Sequence, residues 1–486
     1  MSRRPAQGFF QLALGTALAL AWILNPYYGP SPIIVQALIA GAVVLLWFLL
    51  RPALPQPAAG LLAVSWLAAA LFNAGVGLAQ YAGLINESTL WFSASLGGEV
   101  YGNLRQRNQL ATLLAIGLAS AFYLLTQVQG RARAGLAAGV ALLSVVCALT
   151  SSRTGMLHWI VLCGVALLVP LWGAPGWWRR WAVLAAGSYG ITMALAPKMI
   201  ERVAGGESCV SRKVLWQNAL HLSSERPWTG WGPGMLDYAH YATLYPGERF
   251  CLIVDNAHNL ILHAAVELGW PFALLLLGAL IALVVFGRPW RERAPYRLLG
   301  WAVGGLILLH SFVEYPLWYG PFQLALLLAA VLLWPRRVPA APGPMPRAWR
   351  AGWVLGAVAL GYVAWDYHRI SQIYLPLEER SAFYPVSGSV TAQGSVLFKG
   401  QVDFATFTTR PLTQANAARM ADLGERVLHY SPEPQVVEKL INALLLLGEK
   451  ERAAWHQARF QAAFPDEYAQ WASRPRAAVA ASAPAP

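Results

Sequence analysis

Apolar runs long enough to cross a bilayer recur along this chain, and that repetition restricts the fold more than any other feature. They fall near 8–25, 32–50, 59–81, 109–127, 134–150, 156–173, 178–196, 270–287, 297–314, 317–334 and 350–366. Each approaches the roughly 20 residues a helix needs to span hydrocarbon. In lipid every backbone N–H and C=O must be satisfied within the structure, so only helices or a closed barrel can cross, and runs of this length select helices. The expected fold class is an all-α polytopic membrane protein with about 11–12 transmembrane helices. A shorter amphipathic stretch at 257–268 reads as a re-entrant segment or a broken half of the next span.

Composition agrees. The chain is 57% hydrophobic and 12% charged, and a soluble domain carries about twice that charge fraction. A net charge of +13 raises nucleic acid as a partner, but the basic residues sit mostly in short loops between spans, where they act as topology signals. No nucleic-acid partner is expected. With the N-terminus in the cytoplasm, alternation puts Arg51, Arg131, Arg133, Arg179, Arg180, Arg288, Arg291, Arg293 and the basic residues from Arg336 to Arg350 on the inside. Arg105, Arg107 and Arg153 break the rule, and each lies beside a polar motif. The apolar run from Phe9 to Leu24 reads as a retained first helix rather than a cleaved signal peptide, because no small-x-small cleavage site follows it.

This topology divides the chain. Residues 1–100 hold the N-terminal spans, and 101–196 hold central spans with the outer-face arginine motifs. A large outer loop occupies 197–256, followed by spans over 257–366 that open on a His-Asn motif. Residues 367–476 form an outer helical tail, and the Ala/Pro run 477–486 is expected to be disordered. The tail's paired amphipathic segments around a Gly break resemble a tetratricopeptide-like repeat. Cys147 and Cys163 lie in apolar spans as core residues. Cys209 and Cys251 lie together in the outer loop; they are either two thiols or, in an oxidising compartment, a bridge that clamps the loop.

Four polar clusters fall on the outer face. The densest chemistry is in Asp255-Asn256-Ala257-His258-Asn259, at the mouth of an apolar segment, where an ionisable group is costly to place without a use. A second cluster contains Arg105, Gln106, Arg107 and Asn108. A third is the tight turn around Arg153. The fourth joins Arg212 and Trp216, four apart and so on one helix face, to the Gly-rich run Pro227–Gly234. Glu314 and Tyr319 follow at another outer boundary. Arginine's forked guanidinium suits phosphate and pyrophosphate oxygens, and a His can take a proton from an attacking hydroxyl. Tyr and Trp can stack on sugar faces. No spacing makes a metal site, so a metal-independent, cofactor-free transfer from a phosphate-activated donor fits these residues.

The motifs resemble a known family. Val254-Asp-Asn-Ala-His-Asn-Leu-Ile-Leu-His, with Glu267-Leu-Gly, resembles the signature of the O-antigen ligase/polymerase superfamily. Tyr101-Gly-Asn-Leu-Arg-Gln-Arg-Asn-Gln, Ser152-Arg-Thr-Gly, Ser211-Arg-Lys-Val-Leu-Trp, Pro227-Trp-Thr-Gly-Trp-Gly-Pro-Gly and His310-Ser-Phe-Val-Glu-Tyr-Pro-Leu-Trp-Tyr are similar, more narrowly, to bacterial protein O-oligosaccharyltransferases of the pilin-glycosylation type. The resemblance covers about 100–335. It implies a multi-helix, GT-C-like glycosyltransferase membrane fold in the bacterial inner membrane, with its active site facing the periplasm. It also implies a donor glycan carried on undecaprenyl pyrophosphate and a pilin-like acceptor protein. By that resemblance His258, with Asp255 and Asn259, forms the catalytic group. Arg153 and Arg212, with Arg105 and Arg107, bind the donor pyrophosphate. Gln106, Asn108, Trp216, Glu314 and Tyr319 line the substrate site.

An O-antigen ligase with lipid A–core as acceptor and a polymerase of lipid-linked repeats share this donor chemistry. A transporter is a rival from another class. It needs polar groups through the midplane or broken helices in both halves, whereas here polar groups gather at one face.

Overall fold

A computed structural model describes residues 4–25, 31–50, 58–95, 97–168, 178–196, 209–334, 347–384 and 394–474. Arg51, Arg336, Arg337 and the 477–486 segment lie outside the described residues. The described elements are helical, with no strand among them. An apolar helix stands at each of the eleven expected positions. These are α1 (Arg4–Ile23), α2 (Pro32–Leu50), α3 (Ala59–Tyr81), α4 (Arg107–Leu124), α5 (Gly130–Leu149), α6 (Arg153–Leu168) and α7 (Arg179–Leu195), then, after the long loop, α11 (Trp270–Gly287), α12 (Pro295–Ser311), α13 (Gly320–Leu333) and α14 (Arg347–Ser371). By length and apolarity alone α2, α3, α5 and the stretch Trp270–Arg291 qualify as spans, while α6, α13 and the Gly8–Ile23 part of α1 are apolar but shorter. The chain is a multi-pass membrane protein.

The chain folds as two compact units, one of residues 1–205 and 283–362, the other of 206–282 and 363–486. In the first, α4 is central: every residue from Gln109 to Phe122 is buried. Small residues let its neighbours approach, and a Cβ at Gly117 would collide with Ala70 of α3. Trp22 meets Phe322 edge to face at 4.8 Å. Ser65, Ser120 and Ser144 donate to the carbonyls four residues back, which satisfies their hydroxyls inside apolar surroundings.

α3 also organises the polar rim of this unit. Asn73 Oδ1 accepts from the Asn103 amide at 2.9 Å, and Asn103 Nδ2 donates to the Ile23 and Trp91 carbonyls. Gln80 Oε1 accepts from Tyr101 and Gly102 N–H, while its Nε2 donates to the Ser93 and Gly102 carbonyls. Two buried amides thus fold the 91–104 segment back onto the helix end and set the entry to α4.

The second unit holds α8 (Arg212–Glu225), α9 (Leu236–Ala242), α10 (Leu260–Leu268) and the tail helices α15 (Lys399–Thr409), α16 (Ala417–Leu428), α17 (Pro434–Leu446), α18 (Lys450–Ala463) and α19 (Pro465–Ala472). The amphipathic stretch at 257–268 is a separate helix, cut from the start of α11 by Gly269 at φ +84°. The tail helices from α15 to α18 pack in sequence order around Met420, Val427, Leu440 and Phe460, and Gly448 at φ +79° breaks the chain between α17 and α18. Cys209 and Cys251 are joined by a disulfide across 42 residues. Closing a loop of that size contributes about 3–4 kcal/mol.

Candidate functional site

The candidate residues form two clusters, one in each unit. In the first unit Gln106 caps α4, its side-chain oxygen accepting from Gln109 N–H. That places Asn108 in the first turn. Asn108 Nδ2 donates to Glu314 Oε1 at 3.0 Å, and Asn108 Oδ1 accepts from Ser152 Oγ at 2.7 Å. Gln106 Nε2 reaches the other Glu314 oxygen at 3.5 Å. Glu314 is 5% exposed; a buried carboxylate needs such donors. Ser152 Oγ also accepts from Gly155 N–H, which caps the start of α6, where Arg153 is exposed. Ser151 before it takes φ +53°. The cluster therefore joins the polar ends of α4, α6 and α12 into one network beside the exposed Arg153. Thr112 Oγ1 and His310 Nδ1 are 2.9 Å apart beneath it.

The neighbouring arginines are placed differently. Arg105 stands exposed in the left-handed region at φ +58°, and Arg107 pairs with Glu99 at 3.3 Å on the surface. Tyr319 lies at the entry to α13 and stacks on Tyr315 with ring centroids 6.0 Å apart.

In the second unit the His258 segment is a sharp turn. His258 itself adopts φ +49°, a left-handed conformation that a side chain other than glycine rarely takes. Bonds from three side chains hold it there. Asn256 Oδ1 accepts from His258 N–H at 2.7 Å. Asn259 caps α10, accepting from Ile261 and Leu262 N–H at 3.0 and 3.1 Å. Trp216 Nε1 donates to the Ala257 carbonyl at 3.1 Å. Trp216 is carried by α8, whose N-cap is Ser211 and whose first residue is Arg212. Asp255 is exposed, while Val254 and Ala257 are buried on either side of it. Strain of this kind, held by several bonds, is a mark of functional turns.

The Gly-rich run closes the other end of α10. Trp231 and Gly232 N–H donate to the Val266 and Glu267 carbonyls at 2.8 and 2.9 Å, and Trp270 N–H donates to the Pro227 carbonyl. These bonds satisfy carbonyls that a helix end leaves open. Gly230 (φ +67°) lies directly on the Glu267 backbone, and Gly269 lies on that of Trp228. The close approach that glycine permits here is to the protein's own helix.

Motif reading missed Asp237 of α9. It is buried, and Oδ1 accepts from Tyr238 N–H at 2.6 Å. Burial, followed by the negative charges of Asp255 and Glu267, pushes its carboxyl up to about 7. Glu267 lies 3.5 Å from His263. No spacing in the sequence signals Asp237, because its environment arises from tertiary packing alone.

Three family models match the chain in order and without overlap. "Protein glycosylation ligase" matches residues 100–125, which include the α4 cap. "O-Antigen ligase" matches 137–277, including Arg153, Arg212 and His258. "Virulence factor membrane-bound polymerase, C-terminal" matches 298–478, including Glu314 and the tail helices. Among curated proteins, a general O-oligosaccharyltransferase of Acinetobacter baylyi is 24% identical over 297 residues, covering 55% of this chain and 50% of the relative. The chain thus spans about half the length of that relative. The ordered ligase and glycosylation-ligase matches lie over both polar clusters, and in these segments the chain is similar to the O-antigen ligase family and to protein glycosylation ligases.

Proposed function

We propose that this protein transfers a preassembled oligosaccharide from undecaprenyl pyrophosphate to Ser or Thr hydroxyls of periplasmic proteins such as pilin, on the outer face of the bacterial inner membrane. The observation that carries the reading is the His258 turn. An imidazole is held in a strained conformation by bonds on both sides, within the segment matching the ligase family and next to a helix start. The match to the protein glycosylation ligase model supports protein as acceptor.

In the proposed reaction the acceptor oxygen attacks the anomeric carbon of the donor sugar. A new C–O glycosidic bond forms as the bond to pyrophosphate breaks. His258 accepts or orients the hydroxyl proton, and the electron pair leaves on undecaprenyl pyrophosphate. Arg153 and Arg212 are the proposed cations for the leaving pyrophosphate, because a guanidinium offers paired donors to phosphate oxygens. Asp255 and Asn259 shape the His258 turn. Arg105 and Arg107 are proposed to add positive charge, and Trp216, Gln106, Asn108, Glu314 and Tyr319 to frame the substrate.

The match to the O-antigen ligase model favours one second reading, transfer of the same glycan to lipid A–core. The test expresses the chain in a bacterium that makes one lipid-linked glycan but lacks its own ligase and protein transferase, with pilin supplied. Glycan on pilin, absent with His258→Ala, is the expected result. Glycan on lipid A–core alone would establish the ligase reading, and full transfer by His258→Ala would remove His258 from the chemistry.

A further inference from the structure

The short helix α9 has two working faces. Leu236 and Ala239, three apart, are buried in the core of the outer loop with Val214, Val254, Ala257 and Val266. Tyr241 belongs instead to the core of the tail helices, with Phe407, Met420 and Phe460, and Tyr238 packs against the same core. Residues at i and i+3 share a helix face, so α9 is shared between the two cores. One of its faces shares a core with the residues that flank the His258 turn.

Polar bonds fix α9 as firmly as packing does. The Tyr241 hydroxyl lies 3.0 Å from His456 Nδ1 in α18, and His456 Nε2 lies 3.3 Å from Glu425 Oε1 in α16. Nε2 faces a carboxylate and therefore carries its proton, so in the neutral ring Nδ1 accepts from the tyrosine O–H. Arg452 Nη2 donates to the same Glu425 oxygen at 2.8 Å, and these donors hold the Glu425 carboxyl below its ordinary range against the opposing effect of burial. At the C-terminal end of α9, Arg459 Nε donates to the Ala242 carbonyl at 2.7 Å, and Arg249 donates to the His240 and Thr243 carbonyls. Two guanidinium groups, one from the tail and one from the loop, thus take the carbonyls a helix end leaves open. The Tyr238 ring stacks on His429 with centroids 3.8 Å apart.

We infer that the tail helices brace the His258 turn through α9, and that Tyr241 and His456 are positioning residues for the transfer. The consequence for transfer rests on the function proposed above; the mechanical coupling does not. The face of the tail helices that takes up Tyr238 and Tyr241 is filled by the chain itself, which assigns that face to holding the loop rather than to recruiting an acceptor.

The test uses the full chain purified in detergent and follows hydrogen–deuterium exchange in wild type, Tyr241→Phe and His456→Ala. Tyr241→Phe removes one hydroxyl and keeps the ring, so it reports on the coupling even where His456→Ala disturbs the tail core. Loss of that bond is expected to speed exchange about fivefold in residues 236–243 and 254–262, with α16 and α17 at wild-type rates. In membranes with lipid-linked glycan and pilin, Tyr241→Phe is expected to lower kcat and leave the KM for pilin unchanged. Wild-type exchange rates over 254–262 in Tyr241→Phe would overturn the brace, whatever happens to transfer. A raised KM for pilin with exchange unchanged would also overturn it and assign the tail to recruitment. Faster exchange in a protein whose wild type transfers nothing would leave the brace standing and remove the proposed reaction instead.

Discussion

Asn108 Nδ2 donates to Glu314 Oε1 at 3.0 Å although 206 residues separate them in the chain. The same asparagine accepts from Ser152, so one side chain ties the end of α12 to the turn that presents Arg153. Both Asn108 and Glu314 read as substrate-binding residues in sequence, and their side chains also bind each other. Glu314→Ala or Asn108→Ala leaves buried polar groups without these partners, at a cost of about 1–3 kcal/mol. Thermal unfolding in detergent measures it. The double variant is expected to lose about 1 kcal/mol less than the sum of the singles, and simple additivity would contradict the coupling.

Replacing Gly230 or Gly269 by Ala places a Cβ on backbone that has no room to move, at φ +67° and +84°. Each substitution is expected to destabilise by more than about 2 kcal/mol. Fluorescence-detected size exclusion after mild heating reads this directly. Gly234→Ala also has positive φ but open space around it, so it is the control for conformational strain alone and should lose visibly less.

His258→Gly separates strain from chemistry. Glycine adopts φ +49° without the side-chain clash that a left-handed conformation imposes, worth about 1–2 kcal/mol. Part of that gain is offset by the flexibility glycine adds to the unfolded chain. The variant is expected to unfold at a temperature equal to or above that of wild type and to transfer no glycan. A lower unfolding temperature would show that the imidazole holds the turn rather than being held by it.

Asp237 gives the second unit a pH dependence of defined sign. Its carboxyl is raised from 3.8 to about 7 in the fold. The folded state therefore binds more protons than the unfolded chain between those values. Stability falls as pH rises across that window and is level above it. Asp237→Asn keeps the side chain neutral throughout, so the variant should gain stability over wild type at pH 8 and little at pH 4. Unfolding temperatures at the two pH values decide the matter, and an equal shift at both would place the effect in packing rather than charge.

The spans were legible because lipid imposes one rule on every segment: a long apolar run must be a helix. Even the separateness of α10 is legible, because the stretch at 257–268 is short and amphipathic rather than apolar throughout. The polar clusters were legible as residue types, but not as partners. Nothing in the sequence relates Asn108 to Glu314, because hydrogen-bond pairing depends on how α4 and α12 meet. The left-handed φ of His258 was likewise hidden, since it is set by Asn256, Asn259 and Trp216 together. Asp237 carried no signal, because a lone acidic residue in a loop looks solvated until its surroundings close over it.

The sharing of α9 between two cores constrains how such chains can be inherited. A tail exchanged from a relative would arrive with a seat cut for a different helix, and the loop would arrive with tyrosines cut for a different seat. Recombination that separates residues 236–242 from 417–463 is therefore penalised, although 174 residues of chain lie between them. The two segments are expected to change together across lineages, as a matched pair that functional hybrids must take from one parent.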